Sequence, residues 1–307
     1  MNQGWVYQDR VAQNDVGLTL LQYYTHHYRH SPPDEWQSRI VNGQILLNGQ
    51  TTSPQTRLER GDHLTYQRPP WEEPAVPLEI EVLYEDADVM VVAKPSGLPV
   101  LPGGGFLEHT LLWQLHQRYP EPAPFPVHRL GRGTSGLLLL ARSPRARADL
   151  SQQLRDRKIR KVYRALTTGD NLPNHCIINQ PIGKVFYPAL GDLYAATPTG
   201  KNAQSEVWVL QRQPQATLVQ VVILTGRPHQ IRIHLAWSGC PLVGDPLYDV
   251  GGVPRPISAI APGDKLPVPG DGGYYLHAYQ LEFNHPRTGR HLHLQCKPPA
   301  NLQSATD

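Results

Sequence analysis

Three stretches of this chain hold residue types that could do chemistry. Between Arg142 and Arg164 stand nine cations, Arg142, Arg145, Arg147, Arg155, Arg157, Lys158, Arg160, Lys161 and Arg164, against Asp149 and Asp156. So dense a run, spanning a helix and the start of a strand, suits a phosphate-bearing partner. Its plainer reading is a solubilising helix face. The second stretch, Thr225-Gly-Arg-Pro-His-Gln-Ile-Arg-Ile-His234, carries Arg227, His229, Arg232 and His234. His229 and His234 are five apart on an expected helix, so they face different ways and do not form a metal pair. His229 and Arg232 share one face, while Ile231 and Leu235 share another that would enter the core. Arg232 is therefore a candidate for a site or for burial with a partner, against the plainer reading of a surface salt bridge. The third stretch is His128-Arg-Leu-Gly-Arg-Gly-Thr-Ser-Gly-Leu-Leu-Leu-Leu-Ala141. Its Gly133-Thr-Ser135-Gly136 is not a nucleophile elbow, because the second glycine comes one residue early, so serine hydrolysis is not expected. Pro102-Gly-Gly-Gly105 could cradle a phosphate ahead of a helix. No Gly-Lys-Ser/Thr follows, and a turn is the better reading.

These residues need elements to position them. The apolar run Gly136–Ala141 reads as a buried strand. Ser143-Pro144, a capping hydroxyl and then proline at the first helical position, opens a helix to about Arg157. Strands are expected over Ile159–Thr168, Ala203–Gln211, Thr217–Leu224, Tyr274–Phe283 and Arg290–Lys297, and over Asp88–Lys94. Short helices are expected over Thr110–Arg118 and Pro228–Trp237. Asp249–Gly273 reads as a Pro/Gly-rich loop. Many strands with few helices indicate an α+β domain with a large mixed, mainly antiparallel sheet and flanking helices.

Residues 16–68 form a smaller unit. A helix is expected within Leu18–His30, with Leu18, Leu21 and Tyr24 or Thr25 on one face. A second covers Trp36–Val41, and a hairpin turns at Asn48-Gly49. The domains are expected at residues 1–68 and 80–307. Residues 69–79 form a Pro-rich linker within an acidic segment. From Trp71 to Asp88 there are seven acids and no Lys or Arg, read as a solvated face.

Of 307 residues, 31 are proline and 18% are charged, and the net charge is +3. This profile fits neither a disordered tail nor a coiled coil. No apolar run approaches the ~18 residues that span a bilayer, and Met1–Arg10 has no signal-peptide core. Cys176, Cys240 and Cys296 lie far apart without a CxxC pair, so idle thiols in a reducing cytoplasm are expected.

The third stretch resembles the central HRLDxxTSGLLLLA motif of the RluA-type RNA pseudouridine synthases. Three other segments agree in order. Ala93-Lys-Pro-Ser-Gly-Leu-Pro-Val100 resembles the family's KPxGxxV. Lys161-Val-Tyr-Arg-Ala165 resembles its KxYxA. Thr225–His234 with Gly244-Asp-Pro-Leu-Tyr248 resembles its GRxHQIRxH…GDxxY. The resemblance covers about residues 80–297. Residues 16–68 resemble an S-four-type ααβ RNA-binding module through Asn42-Gly43, Leu47-Asn48-Gly49 and Gly61-Asp62.

The resemblance implies isomerisation of uridine to pseudouridine in RNA, ribosomal or transfer RNA, by a cytoplasmic monomer without metal or organic cofactor. The target base must be extruded. Tyr163 matches the aromatic residue that holds it, and Arg129 the arginine suited to the flipped nucleotide's backbone. Arg232 matches the arginine that pairs with the catalytic aspartate. His128, Arg129, Arg227, His229, Arg155, Arg157, Lys158, Arg160 and Lys161 are the expected RNA-binding residues. At the aspartate position this chain has Gly131, and Gly133 stands two residues on. Glycine supplies neither nucleophile nor base. Arg232 then loses the family's partner, so either the pocket is wet, or an acid enters from elsewhere, or a bound anion sits there. Three readings follow. The first is a synthase with a carboxylate from elsewhere, such as Asp192, Asp245 or Asp249. The second is an RNA-binding relative without catalysis, a chaperone or reader. The third is another enzyme in which Arg232 holds an anionic substrate.

Overall fold

The structure is a computed structural model that describes residues 1–188, 190–256 and 267–304. The chain divides into two compact units, Met1–Glu73 and Pro74–Asp307. The start of the expected linker belongs to the first unit. Arg68 lies 3.5 Å from the Trp71 ring, and Asn2 donates to Glu73 at 2.7 Å.

In the first unit, strand β1 (Trp5–Arg10) precedes helices α1 (Leu20–His27) and α2 (Pro33–Val41). Strands β2 (Ile45–Leu47), β3 (Gln50–Thr51) and β4 (His63–Arg68) follow. The sheet runs β1-β4-β2-β3. Strand β1 was not legible, because all six of its residues are partly or fully exposed and give no apolar alternation. Thr19 closes a capping box with Gln22, so α1 starts later than expected. Its buried face is Leu20, Tyr23 and Tyr24 rather than Leu18 and Leu21. That face packs with Trp36, Ile40, Ile45, Leu64 and Tyr66 into an aromatic core.

The second unit begins with β5 (Glu81–Glu85) and β6 (Val89–Lys94), then α3 (Leu111–Arg118), capped by Thr110. Next come β7 (Phe125–Pro126), β8 (Ser135–Ala141) and α4 (Pro144–Arg155). Strands β9 (Arg160–Thr168), β10 (His175–Ile178), β11 (Ile182–Tyr187) and β12 (Gly191–Ala196) follow. The chain continues through β13 (Ser205–Gln213), β14 (Ala216–Ile223) and α5 (Gln230–Trp237). It reaches β15 (Tyr248–Asp249), β16 (Val253–Pro254), β17 (Leu276–Asn284) and β18 (His291–Gln295). The main sheet runs β10-β13-β14-β9-β17-β8-β6-β5, with β18 on β17 and β7 on β8. Its pairs are antiparallel except β17 with β8, which are parallel. This is the expected α+β domain with a large mixed sheet.

The core follows from the apolar runs. Leu137–Leu140 on β8 and Val89–Val92 on β6 are each at most 1% exposed. Ala146 and Leu150 of α4 and Leu111 and Leu115 of α3 belong to the same cluster. Gly136 is a required glycine. Its φ is +100°, and a Cβ there would lie 2.3 Å from the Ala278 carbonyl oxygen of β17. That close approach sets where β8 and β17 pair.

Two sequence expectations change here. The short hairpin β15–β16 forms inside the stretch expected to be a loop, of which residues 257–266 lie outside the described residues. The acidic segment is not wholly a solvated face. Asp88 is buried, pairs with Arg287 and accepts from Ser143. Asp86 accepts from Tyr84, from the amides of Asp88 and Val89, and from His285 at 2.8 Å. Among the described residues no helix is long and apolar enough to cross a membrane. The three cysteines are free thiols.

Candidate active site

A cleft of about 500 Å³ opens where the ends of β8, β9 and β14 meet α4 and α5. Its lining includes His128, Arg129, Gly131, Thr134, Arg155, Arg157, Lys161, Tyr163, Arg227, His229, Arg232 and Tyr274. Two of the expected RNA-binding residues are not in it. Arg160 points to an ion pair with Glu282 at 2.6 Å, and Lys158 lies 3.8 Å from Asp156. Strand alternation explains the split along β9: Lys161 and Tyr163 are on the cleft side, Arg160 is not.

The loop 128–134 is held from behind by the Lys94-Pro-Ser-Gly segment. Lys94 is 1% exposed, and its Nζ donates to the carbonyls of Pro95, Leu98 and Arg132 at 2.8, 2.8 and 3.1 Å. Ser96 donates to the Gly133 carbonyl at 2.7 Å, and the Gly97 amide to Arg132 at 2.8 Å. Burial pulls the Lys94 ammonium down to about 7, with the Arg132 charge adding to it. At the front of the loop, the Thr134 amide donates to the Gly131 carbonyl at 3.0 Å.

The loop before α5 is pinned by Gln230. Its Oε1 accepts from Thr225 Oγ1 at 2.6 Å and the Arg227 amide at 3.1 Å. Its Nε2 donates to the Gln204 carbonyl and Ser205 Oγ. His229 is the N-cap residue of α5 and has φ +54°, so it is not on the helix and shares no helix face with Arg232. The Tyr248 hydroxyl donates to the Tyr194 carbonyl and so accepts from His229 Nδ1–H at 2.8 Å. That assignment leaves His229 Nε2 as an acceptor. Burial, then the neighbouring Arg232, lowers His229 to about 3, and it is neutral at neutral pH. His128 is also lowered to about 3, by burial and then by Lys161, and its Nε2 accepts from the Leu139 amide.

Arg232 is 2% exposed and is not unpaired. Its Nε and Nη2 donate to the two oxygens of Asp245, each at 2.7 Å. Asp245 also accepts from the amides of Leu247 and Tyr248. The turn role expected for Asp245 is there, and the same carboxylate is the arginine's partner. The guanidinium carbon lies 4.9 and 4.3 Å from the ring centres of Tyr248 and Tyr274. Burial opposes the charge, but the Asp245 hydrogen bonds and charge outweigh it and raise the Arg232 pKa above its ordinary value. The other two carboxylates considered are elsewhere. Asp192 is exposed and 3.7 Å from Lys184, and Asp249 accepts from the Val250 amide.

Among the described residues no carboxylate lines the cleft. Its walls are cationic and aromatic, suited to a phosphate backbone and a planar base. Tyr274, 4% exposed, was not anticipated from the sequence. Its hydroxyl lies 3.3 Å from Thr134 Oγ1. The signal that could have found it is the pair Gly131 and Gly133, whose missing side chains leave room for something else. Asp86, Asp88 and His285, the described group with metal-ligand spacing, lie outside the cleft and are held by Arg287, Ser143 and Tyr84.

Comparison with known proteins places this geometry. The RNA pseudouridylate synthase family profile matches residues 88–237. An uncharacterised RNA pseudouridine synthase of Synechocystis sp. is 50% identical over 283 residues, covering 92% of this chain and 95% of that protein. RNA pseudouridine synthase 5 of Arabidopsis thaliana is 42% identical over 328 residues, 92% of this chain and 89% of that one. Ribosomal large subunit pseudouridine synthase D of Vibrio parahaemolyticus is 30% identical over 317 residues, 100% and 95% of the two chains. The solved structure of human RNA pseudouridylate synthase domain containing 1 matches with a TM-score of 0.57 at 23% identity, covering 74% of this chain and 87% of that one, a likeness of fold. Matched along nearly its whole length at this identity, the chain belongs to the RNA pseudouridine synthase family.

Proposed function

We propose that this protein isomerises uridine to pseudouridine in ribosomal or transfer RNA, acting in the cytoplasm as a monomer and without a metal or organic cofactor. The observation that carries this reading is one cleft gathering Arg129, Tyr163, Arg227 and Arg232 between cationic walls. A nucleotide flipped out of its stack would place its base on Tyr163 and its phosphates against Arg129, Arg155, Arg157 and Lys161. Arg232, with Asp245 and the two tyrosine rings, supplies fixed positive charge on the cleft floor. Residues 1–68 act as the S-four-type RNA-binding module, and residues 80–307 carry the reaction.

A second reading, RNA binding without catalysis, draws on Gly131, which has no side chain in a cleft that no carboxylate lines among the described residues. One assay separates the two. The purified chain is incubated with ribosomal and transfer RNA labelled at carbon five of uridine, and label release is measured beside RNA binding across a salt series. Release together with steeply salt-dependent binding is expected. Tight, salt-dependent binding without release from either RNA would leave the binding reading, and no binding would sink both.

A further inference from the structure

Gly131 and Gly133 are not glycine for backbone reasons, since neither has the positive φ that favours it. They are glycine for space. A Cβ at residue 131 would lie 2.6 Å from the Tyr274 hydroxyl oxygen. One at residue 133 would lie 2.8 Å from Gly272 Cα and 2.9 Å from the Tyr274 ring. A side chain at either position and the phenol of Tyr274 exclude each other. The phenol oxygen therefore fills the place a side chain from residue 131 would take. It lies 3.3 Å from Thr134 Oγ1, in a ring whose face meets the Arg232 guanidinium at 4.3 Å. Among the described residues that line the cleft, the other groups able to transfer protons are His128, Lys161, Tyr163 and His229. None of them fills the place a side chain from residue 131 would take.

Resting on the reading of the cleft as a uridine-isomerising site, we propose that Tyr274 is its catalytic acid and base. The reaction breaks the bond from the ring nitrogen N1 to the ribose carbon C1′, forms one from C5 to C1′, and moves one proton from C5 to N1. The phenol gives its proton to N1 as the N1–C1′ electron pair leaves with the base. The phenolate so formed faces the cationic C1′, with Arg232 beside the ring. The freed uracil turns, and its C5 attacks C1′. The phenolate takes the C5 proton and is a phenol again. Nothing is oxidised, and no other reactant is consumed. Thr134 and Arg232 are positioning residues for this phenol.

The test uses the full chain and RNA labelled at carbon five of uridine, under single-turnover conditions. Tyr274→Phe keeps the ring against Arg232 and removes the oxygen. Its release rate is expected to fall about a hundredfold or more, the range for a lost general acid–base group, with RNA binding and circular dichroism unchanged. Gly131→Asp alone is expected to lose activity, because its Cβ meets the phenol oxygen. The Gly131→Asp, Tyr274→Phe pair has room, since the next ring atom is 4.0 Å from that Cβ. It is expected to release label faster than Tyr274→Phe alone. Native-rate release by Tyr274→Phe would overturn the role of Tyr274 while leaving the isomerase reading intact. A native chain that binds RNA but releases nothing would overturn both. Should Tyr274→Phe not fold, fluorotyrosine at 274 keeps the shape and makes the phenol more acidic. A shifted pH–rate profile supports the role, and an unshifted one overturns it.

Discussion

Arg232 and Asp245 meet through two parallel hydrogen bonds of 2.7 Å, Nε to Oδ2 and Nη2 to Oδ1, with each residue 2% exposed. Withdrawing two charges from water is expensive, and such a pair is tolerable only when the remaining polar atoms are satisfied. Here the amides of Leu247 and Tyr248 complete Asp245, and two tyrosine rings flank the guanidinium. The pair also fixes the direction in which the cleft's cation faces.

Asp245→Asn should therefore destabilise the chain by about 3–5 kcal/mol, because it leaves an uncompensated buried cation. Removing the arginine as well, Arg232→Met with Asp245→Asn, should recover most of that loss, because the asparagine oxygen still accepts from the Leu247 and Tyr248 amides, while abolishing release of label from RNA. Urea denaturation measures the first effect. A loss under about 1 kcal/mol, the range of exposed pairs, would mean that water reaches the site.

The network around Asp86 gives a stability signal away from the cleft. Burial pushes its carboxyl up, but hydrogen bonds from Tyr84, the Asp88 and Val89 amides and His285 bring it down from 3.8 to about 2. A carboxyl depressed in the folded state stabilises above its unfolded value and loses that contribution as pH falls through its folded value. Native protein should then lose stability between pH 4 and about 2 more steeply than Asp86→Asn. At pH 7 the variant should be weaker by about 1–3 kcal/mol, the penalty of groups left without their acceptor. Thermal melts across that range check this, and parallel curves would refute it.

What the sequence made legible tracks how local the physics is. The apolar run Leu137–Leu140 and the Ser143-Pro144 cap are local signals, and β8 and α4 lie where they point. Strand β12 was missed because its buried positions, Gly191, Leu193 and Ala195, are mostly small and carry little apolar signal. The membership of Arg129, Tyr163 and Arg232 in one cleft came from ordered motifs, and of the alternatives left open for Arg232 the structure takes burial with a partner rather than an unpaired cation. Its partner is 13 residues on, in a turn that already gave Asp245 a sufficient role. Tyr274 lies 140 residues from Thr134, and only the packed sheet brings them together. A glycine's absent side chain is visible in sequence, but what occupies its space is not.

Lys161 should make RNA binding sensitive to pH. It is 8% exposed, and burial pulls its ammonium down to about 8, so the free protein loses this cation as pH rises through that value. A nearby phosphate favours the charged form, so binding above pH 8 must take up a proton and affinity falls with pH. Each phosphate contact to a single strand contributes about 0.7 to the slope of log affinity against log salt. Between pH 7 and 9 affinity should fall by up to about tenfold in the native chain, and it should not fall in Lys161→Arg, because a guanidinium stays charged. Lys161→Met should bind more weakly at both pH values, with the salt slope smaller by about 0.7. Equal affinity of the native chain at pH 7 and 9 would place Lys161 away from the phosphates and leave Arg129, Arg155 and Arg157 to carry the cleft's contact with the RNA backbone.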